Sequence, residues 1–429
     1  MATINPKINY GTQTQITVKR GGFIAWVVVL TSALFFFYEF LQMNMFNVIN
    51  NDLMQAFTIG ATQVSNLSAG YFYADVLLLF PAGILLDRFS TRWVLVTAMT
   101  VCVIATFLFA FAGNYWFAFA MRLLCGFGAA FNLLSSLRLA SRWFAPAQLA
   151  LVTGAVVTMA MLGGMAAQTP MTLLVAAVGW RHAVMIDSGI GVIFLLLIIL
   201  LVRDYPAGYL QARLELKEQT LKQSIWLTLR NSQNWLAGMF TSFLNLPILV
   251  LGALWGIDYL VQVNGFTRTQ ASLIDSMIFL GMIVGCPLLG WISDRIRQRK
   301  KPMIYGAIIS IIVIFTIRFW PNASFSTMLT LFFLLGLFIS SQVISYPLIT
   351  ASNPLSLTAS ALGLASVIIM GGGAIFQPLM GFLLDLHWNG AKVAGVPVYS
   401  TADYQFAFWI FPIMFVIGLV CALLVKERH

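Results

Sequence analysis

The run GILLDRFSTR, Gly83 to Arg92, returns as GWISDRIRQR, Gly290 to Arg299, with Gly83/Gly290, Asp87/Asp294, Arg88/Arg295 and Arg92/Arg299 each 207 residues apart. Each copy closes an apolar segment of helical length and sets a glycine, a carboxylate and several cations where the chain would leave a bilayer. A chain doubled in this way folds as two related halves, and such halves usually move a small solute through the gap between them.

Composition fixes the medium. With 60% hydrophobic and 9% charged residues and a mean hydropathy of +0.89, 429 residues cannot form one soluble globule with a charged surface. Apolar runs of roughly 20 residues span a bilayer as helices. They predict about twelve, near 23–47, 67–87, 93–113, 117–140, 148–176, 182–202, 235–260, 270–292, 303–319, 326–348, 358–384 and 404–425. Threaded through a membrane, this layout puts nineteen Lys and Arg residues on the side of the termini and only Arg181, Arg268, Arg318 and Lys392 on the other, with Arg122 inside a helix. That excess predicts both termini in the cytoplasm. The net charge of +10 therefore reads as topology and contact with anionic membrane lipid, and nucleic acid is not an expected partner.

Residues 1–22 are polar and the following apolar run is too long for a signal h-region, so the first helix is expected to stay in the membrane. Cys102, Cys125, Cys286 and Cys421 lie in apolar segments without metal-ligand spacing and read as small core residues; no metal or other cofactor is expected. The polar interruption at 203–233 divides the chain into an N-terminal six-helix bundle, 1–202, a cytoplasmic linker, and a C-terminal bundle, 234–429. Within the linker, Gln211–Gln223 alternates charged and apolar residues at helical spacing, as an interfacial amphipathic helix or a solvated tether.

Twelve helices in a six-plus-six arrangement with a Gly-x-x-x-Asp-Arg loop after helices 2 and 8 resemble the major facilitator superfamily. RLLCGFGAA (Arg122–Ala130) resembles that family's helix 4 motif, and GWR (Gly179–Arg181) its entry to helix 6. The resemblance spans essentially the whole chain. It implies an all-α membrane protein of two six-helix bundles that rock about a central site open alternately to each side. FYEF, NLSAGYFYAD, SLRLASRWF and the helix that follows are similar to bacterial nutrient importers, including phagosomal transporters of intracellular pathogens. This implies the bacterial inner membrane and uptake of amino acids, nucleosides or organic acids.

The repeated loop suits gating on physical grounds. Gly83 and Gly290 permit close helix approach. Asp87 and Asp294 can pair with Arg88, Arg92, Arg295 or Arg299, or cap a neighbouring helix end; alternatively these charges only set topology. Arg122, inside a helix, must be paired or hydrated and reads as structural or coupling. Gly154–Pro170 parallels Gly363–Pro378, each rich in glycine and ending in proline with Gln168 or Gln377 close by, which suits tight crossings between bundles around a cavity.

Acids within apolar helices point to solute or proton chemistry. Glu39 and Asp75 are the first candidates, Glu39 as proton carrier and Asp75 as second site, with a hydrogen-bonded structural acid as the alternative. Asp187, Asp258 and Asp275 fall toward outer helix ends and are expected to reach water. Arg138, one turn before Arg142, can face the cavity as a carboxylate-binding cation. Tyr38, Gln42, Asn44, Asn132, Gln168, Asn245, Gln342, Tyr346 and Gln377 can supply directed hydrogen bonds to a small polar ligand.

His182, His387 and His429 are scattered and no nucleophile or metal motif has suitable spacing, so an enzyme is not expected. The expectation is a monomeric secondary transporter importing a small polar solute, an amino acid or related zwitterion or cation in preference to an organic acid or nucleoside. Protons are the expected coupling ion. An uncoupled facilitator, an exchanger and a non-transporting receptor are the alternatives.

Overall fold

The computed structural model describes residues 21–206, 221–354, 357–393 and 395–427. In the first half the helices are α1 (Phe23–Asn44), α2 (Phe46–Phe57), α3 (Ala61–Arg88), α4 (Thr91–Ala110), α5 (Tyr115–Trp143), α6 (Leu149–Ala166) and α7 (Thr169–Leu201). The second half holds α8 (Leu221–Arg230), α9 (Ser232–Leu244), a π-helix at Pro247–Trp255, α10 (Gly256–Asn264), α11 (Arg268–Ile296), α12 (Lys300–Phe319), α13 (Phe325–Ile339), a 3-10 turn at Ser340–Ile344, α14 (Ser345–Ala351), α15 (Thr358–His387), α16 (Thr401–Ala407) and α17 (Ile410–Leu424). One antiparallel hairpin, Lys392–Val393 with Val396–Pro397, joins α15 to α16. The predicted linker lies largely outside the described residues, as do Lys7, Lys19 and Arg20; the chain is helical again from Leu221.

Local chemistry sets the helix ends. Ser90, Asn114 and Ser324 each accept a hydrogen bond from a backbone N–H three residues on, satisfying donors that no preceding turn can reach. Thr267 and Gln270 form a reciprocal capping box at the start of α11.

Among the described residues, ten stretches are long and apolar enough to cross a membrane. One of them, Leu149–Leu201, has 53 residues, about 80 Å of helix against a hydrocarbon core of about 30 Å. It is two crossings: Gly179 breaks it with φ 79°, a conformation that costs glycine nothing. Ala61–Arg88, with 28 residues, is also long enough, which makes twelve crossings in two six-helix bundles. The first crossing runs on through Met45 to Phe57, about ten residues beyond the sequence expectation, and those residues prove important.

Helices in lipid gain nothing from hiding one apolar surface on another, so close approach and directed bonds must hold the bundles together. Within the halves α3 packs along α5 and α11 along α13; across the halves α3 lies on α15 and α6 on α11. Arg88, Arg92, Arg297 and Arg299 share one face of the molecule, the basic face. The hairpin lies on the opposite face.

Candidate functional site

Among the described residues, two regions hold most of the buried charged groups, the interior of the N-terminal bundle and the seam between the bundles. In the first, Tyr38, Glu39, Gln42 and Asn44 of α1 are all buried, as are Asp75 of α3, Arg122 of α5 and Asp187 of α7. Neither oxygen of Glu39 has a hydrogen-bond donor, and Asp75 Oδ1, Asp187 Oδ1 and the Tyr38 hydroxyl are also without partners. Tyr71, Cys102, Cys125 and Asp75 surround Glu39. Arg122 makes no ion pair with these acids among the described residues. Its Nη1 donates to the Gln42 carbonyl at 2.9 Å and its Nε to the Ser68 carbonyl at 3.4 Å, and its guanidinium lies 4.2 Å from the Phe46 ring centre and 4.9 Å from that of Tyr71. Gln42 also donates to Asp187. Asp187 was expected near water; neighbouring helices bury it instead.

The remaining candidates are dispersed. Asn44 Nδ2 donates to the Phe40 carbonyl at 2.6 Å, within its own helix. Asn132 is buried on α5, where its side chain bonds the next backbone N–H. Arg138 lies half-buried on the same helix. In the C-terminal bundle Gln342 donates to Asn245 at 3.0 Å, with Tyr346 one turn further on.

At the seam, Asn47 Nδ2 donates to Asp275 Oδ2 at 2.9 Å and to Gln168 Oε1 at 3.0 Å, while Asn47 Oδ1 accepts the Ile257 N–H at 3.0 Å. Asn50 donates to the Leu254 carbonyl at 2.8 Å and Asn51 to Asp258 at 3.0 Å. Arg268 pairs with Asp258 at 3.3 Å and crosses to the Val48 carbonyl at 2.8 Å. Toward the hairpin, Asp385 of α15 accepts the Thr62 N–H at 2.9 Å and its hydroxyl at 2.5 Å, and the Tyr399 hydroxyl accepts the Ala61 N–H at 2.8 Å. The first turn of α3 is thus capped by the other bundle. Asp258 and Asp275, expected in water, are buried in this seam. Asn47, Asn50 and Asn51 were not singled out, although their i, i+3, i+4 spacing puts them on one helix face. Beyond the seam a vestibule of about 830 Å³ opens among Asn51, Asp52, Asp258, Arg268, Tyr399 and Tyr404.

Gln168 and Gln377 find related partners. Gln168 Nε2 donates to the Gly252 carbonyl at 2.8 Å and Gln377 Nε2 to the Leu249 carbonyl at 2.7 Å, both in the π-helix, whose wider turns leave backbone groups to be satisfied from outside. The glycine-rich helices work in a paired way. Gly163 backs onto the Phe37 carbonyl of its own bundle, while Gly164 receives the Phe279 ring of the other. Gly372 backs onto Ser242 of its own bundle, while Gly373 receives Phe72 of the other, with a Cβ there only 2.9 Å from the ring. Phe72 and Phe279 are 207 residues apart, the period of the repeated loop.

The family model described as Major Facilitator Superfamily matches residues 32–257 and 246–429. The chain belongs to the major facilitator superfamily. Among solved structures, a bacterial homolog of the human lysosomal transporter Spinster, inward-facing and unoccupied, superposes with a TM-score of 0.75 at 15% identity, covering 94% of this chain and 96% of that one. The nucleoside transporter NupG, as its D323A mutant, gives a TM-score of 0.68 at 15% identity over 93% and 100%. The probable sulfoacetate transporter SauU of Cupriavidus necator is 27% identical over 53% of this chain and 55% of its own length. The membrane sensor protein UhpC of Escherichia coli is 23% identical over 86% and 87%, and the lysosomal dipeptide transporter MFSD1 of Danio rerio 22% identical over 79% and 76%. The chain spans between half and two thirds of the length of the first curated relatives it matches.

In this member of the superfamily the repeated loops lie at the basic-face ends of α3 and α11. The Asp87 side chain lies outside what the structure describes. Arg88 and Asp294 are exposed, Arg295 stacks on Trp291, and a Cβ at Gly83 or Gly290 would meet nothing within 4 Å. Two acids missed from the sequence complete the loops. Asp204, after α7, accepts the Arg92 N–H at 3.1 Å and pairs with Arg142 at 3.3 Å. Glu427, after α17, accepts the Arg299 N–H at 2.5 Å. Each bundle thus caps its own third crossing with an acid that follows its last one, a favourable use of the helix dipole.

Proposed function

We propose that the chain imports a small polar nutrient by alternating access, with the basic face in the cytoplasm of a bacterial inner membrane and the seam facing outside. A monomer suffices, because both bundles lie in one chain. The observation that carries the reading is the asymmetric charge. Glu39, Asp75 and Asp187 are buried in the N-terminal bundle with one arginine, and the bundle is sealed from one face by the seam. A buried carboxylate without an ion pair is costly as an anion, so these groups suit a site that takes up protons and a cationic or zwitterionic solute; an amino acid is favoured. Glu39 is the first proton carrier and Asp75 the second. Relatives named for sulfoacetate and hexuronate transport support organic acids as the alternative solutes beside nucleosides, with an uncoupled facilitator or exchanger as the alternative mechanism.

In proteoliposomes, adding pooled amino acids, dipeptides, nucleosides or organic acids should draw protons inward with one pool, and Glu39→Gln should abolish that signal. Labelled solute entering without proton movement would return Glu39 to a structural role. Transport of a dianion that persists after neutralising both Glu39 and Asp75 would overturn the solute class. The similarity to a membrane sensor over most of both chains supports a second reading, a receptor, for which no pool would give flux.

A further inference from the structure

Asp275 is not used by the mechanism above, yet the seam is built around it. It lies on α11 fully buried, its Oδ2 takes a single neutral donor, Asn47 Nδ2, from the other bundle, and its Oδ1 has no partner. Gly256 makes room for it, since a Cβ there would fall on Asp275 Oδ1. Of the charged and titratable groups on surrounding elements, Arg268 is engaged by Asp258 and the Val48 carbonyl, and Arg318 of α12 stacks on Trp409. On α7, Arg181 is held by the Ala110 and Ala112 carbonyls, His182 by that of Val178, and Asp187 by Gln42. Asp52 of α2 faces the vestibule, and Tyr259 of α10 stacks on Phe408. The π-helix, α6, α13 and the 3-10 turn after α13 carry no charged or titratable group. No cation pairs with Asp275 among the described residues.

We propose that Asp275 is a proton-binding site of the outer seam, occupied by a proton while the bundles are closed on that face and emptied when they part. A carboxylate shut away with only a neutral amide for company is tolerated as the acid. When the seam opens, Asn47 withdraws and water reaches the group, which then ionises. The proton travels with the closed state, so acid outside drives the seam shut and alkali favours its opening. The inference rests on the alternating-access reading but not on the solute or on Glu39.

The test needs no solute. Spin labels at Ala56 and Gln262, exposed at the outer ends of the two bundles, report seam opening in the full-length protein. The ratio of open to closed protein should rise with pH by up to about tenfold per unit around one midpoint, as a single linked proton requires. Asp275→Asn, a neutral copy of the acid, should stay closed and lose the dependence; Asp258→Asn and Asp385→Asn, which weaken the closed seam but keep the proton site, should keep the native slope with the midpoint moved toward acid. A flat native profile, a pH dependence surviving in Asp275→Asn, or its loss in Asp258→Asn would overturn the proposal. If Asp275→Asn does not fold, infrared difference spectra of the native protein decide instead. A protonated-carboxyl band must vanish with the same midpoint as opening, and its absence is equally fatal. Failure here would leave the Glu39→Gln flux result standing, and the reverse also holds.

Discussion

A valine at Gly164 should hold the bundles apart on the outer face and cut solute flux at least tenfold. The Phe279 ring already occupies the place of the missing side chain, and it is packed between two glycines of opposite bundles, since a Cβ at Gly252 would come within 2.9 Å of its Cζ. Forcing extra methyl groups into a contact this close costs an amount in the upper part of the usual range of about 1–3 kcal/mol, and that cost falls only on the closed state, which shifts the equilibrium about tenfold to more than a hundredfold toward opening. The double variant Gly164→Val with Phe279→Ala should regain much of the flux, since the ring that clashes is gone. Flux lower in the double variant than in either single one would show that Phe279 has another role. The related contact of Phe72 with Gly373 should behave in the same way with Gly373→Val.

The largest effect on stability is expected at Gly126, a glycine that is not part of the repeated loop. A Cβ there would land on the Tyr71 carbonyl oxygen, and backbone cannot move aside as a side chain does. Gly126→Val should therefore separate α5 from α3, with a loss on the order of 3 kcal/mol or more, visible as a large fall in midpoint temperature in detergent. Gly83→Ala and Gly290→Ala should leave the stability within about 0.5 kcal/mol of native, because nothing stands near either position in this state. If those two glycines serve closure of the basic face, their substitution slows transport while stability stays unchanged. A destabilised Gly83→Ala protein would contradict the open space seen there.

The fold was legible because lipid makes its demands in runs of about twenty apolar residues, and because the charges of Asp87, Arg88, Asp294 and Arg295 mark the repeat against an apolar background. Phe72 and Phe279 share the same period but are invisible among 35 phenylalanines; only the contacts distinguish them. Asn47, Asn50 and Asn51 were passed over because the first crossing was expected to end at residue 47, and a polar run past a helix end reads as loop. Asp187, Asp258 and Asp275 were assigned to water by counting along each helix as though it stood alone. Depth in a bundle depends instead on which neighbours cover the helix, and no property of one segment records that. The clustering of Glu39, Asp75 and Arg122 in one half follows from helix order. The absence of an ion pair from Arg122 to Glu39 among the described residues depends on facing angles that the sequence does not carry.

The π-helix at Pro247–Trp255 turns the seam into something more than a latch. Its carbonyls at Leu249, Gly252 and Leu254 are held by Gln377, Gln168 and Asn50, and the last two donors belong to the opposite bundle. A turn with one residue too many persists only while its loosened carbonyls are occupied from outside. Parting the bundles removes two of the three, so the segment is expected to rewind into tighter α-helix and rotate the short α10 that follows it, Gly256–Asn264, by about 100° of helical phase. The seam then works as a ratchet of one residue, in which Asp258 is turned away from Asn51 as the stretch rewinds. Amide hydrogen exchange across 247–260 should speed up selectively in protein trapped open, while the flanking α9 and α11 keep their protection.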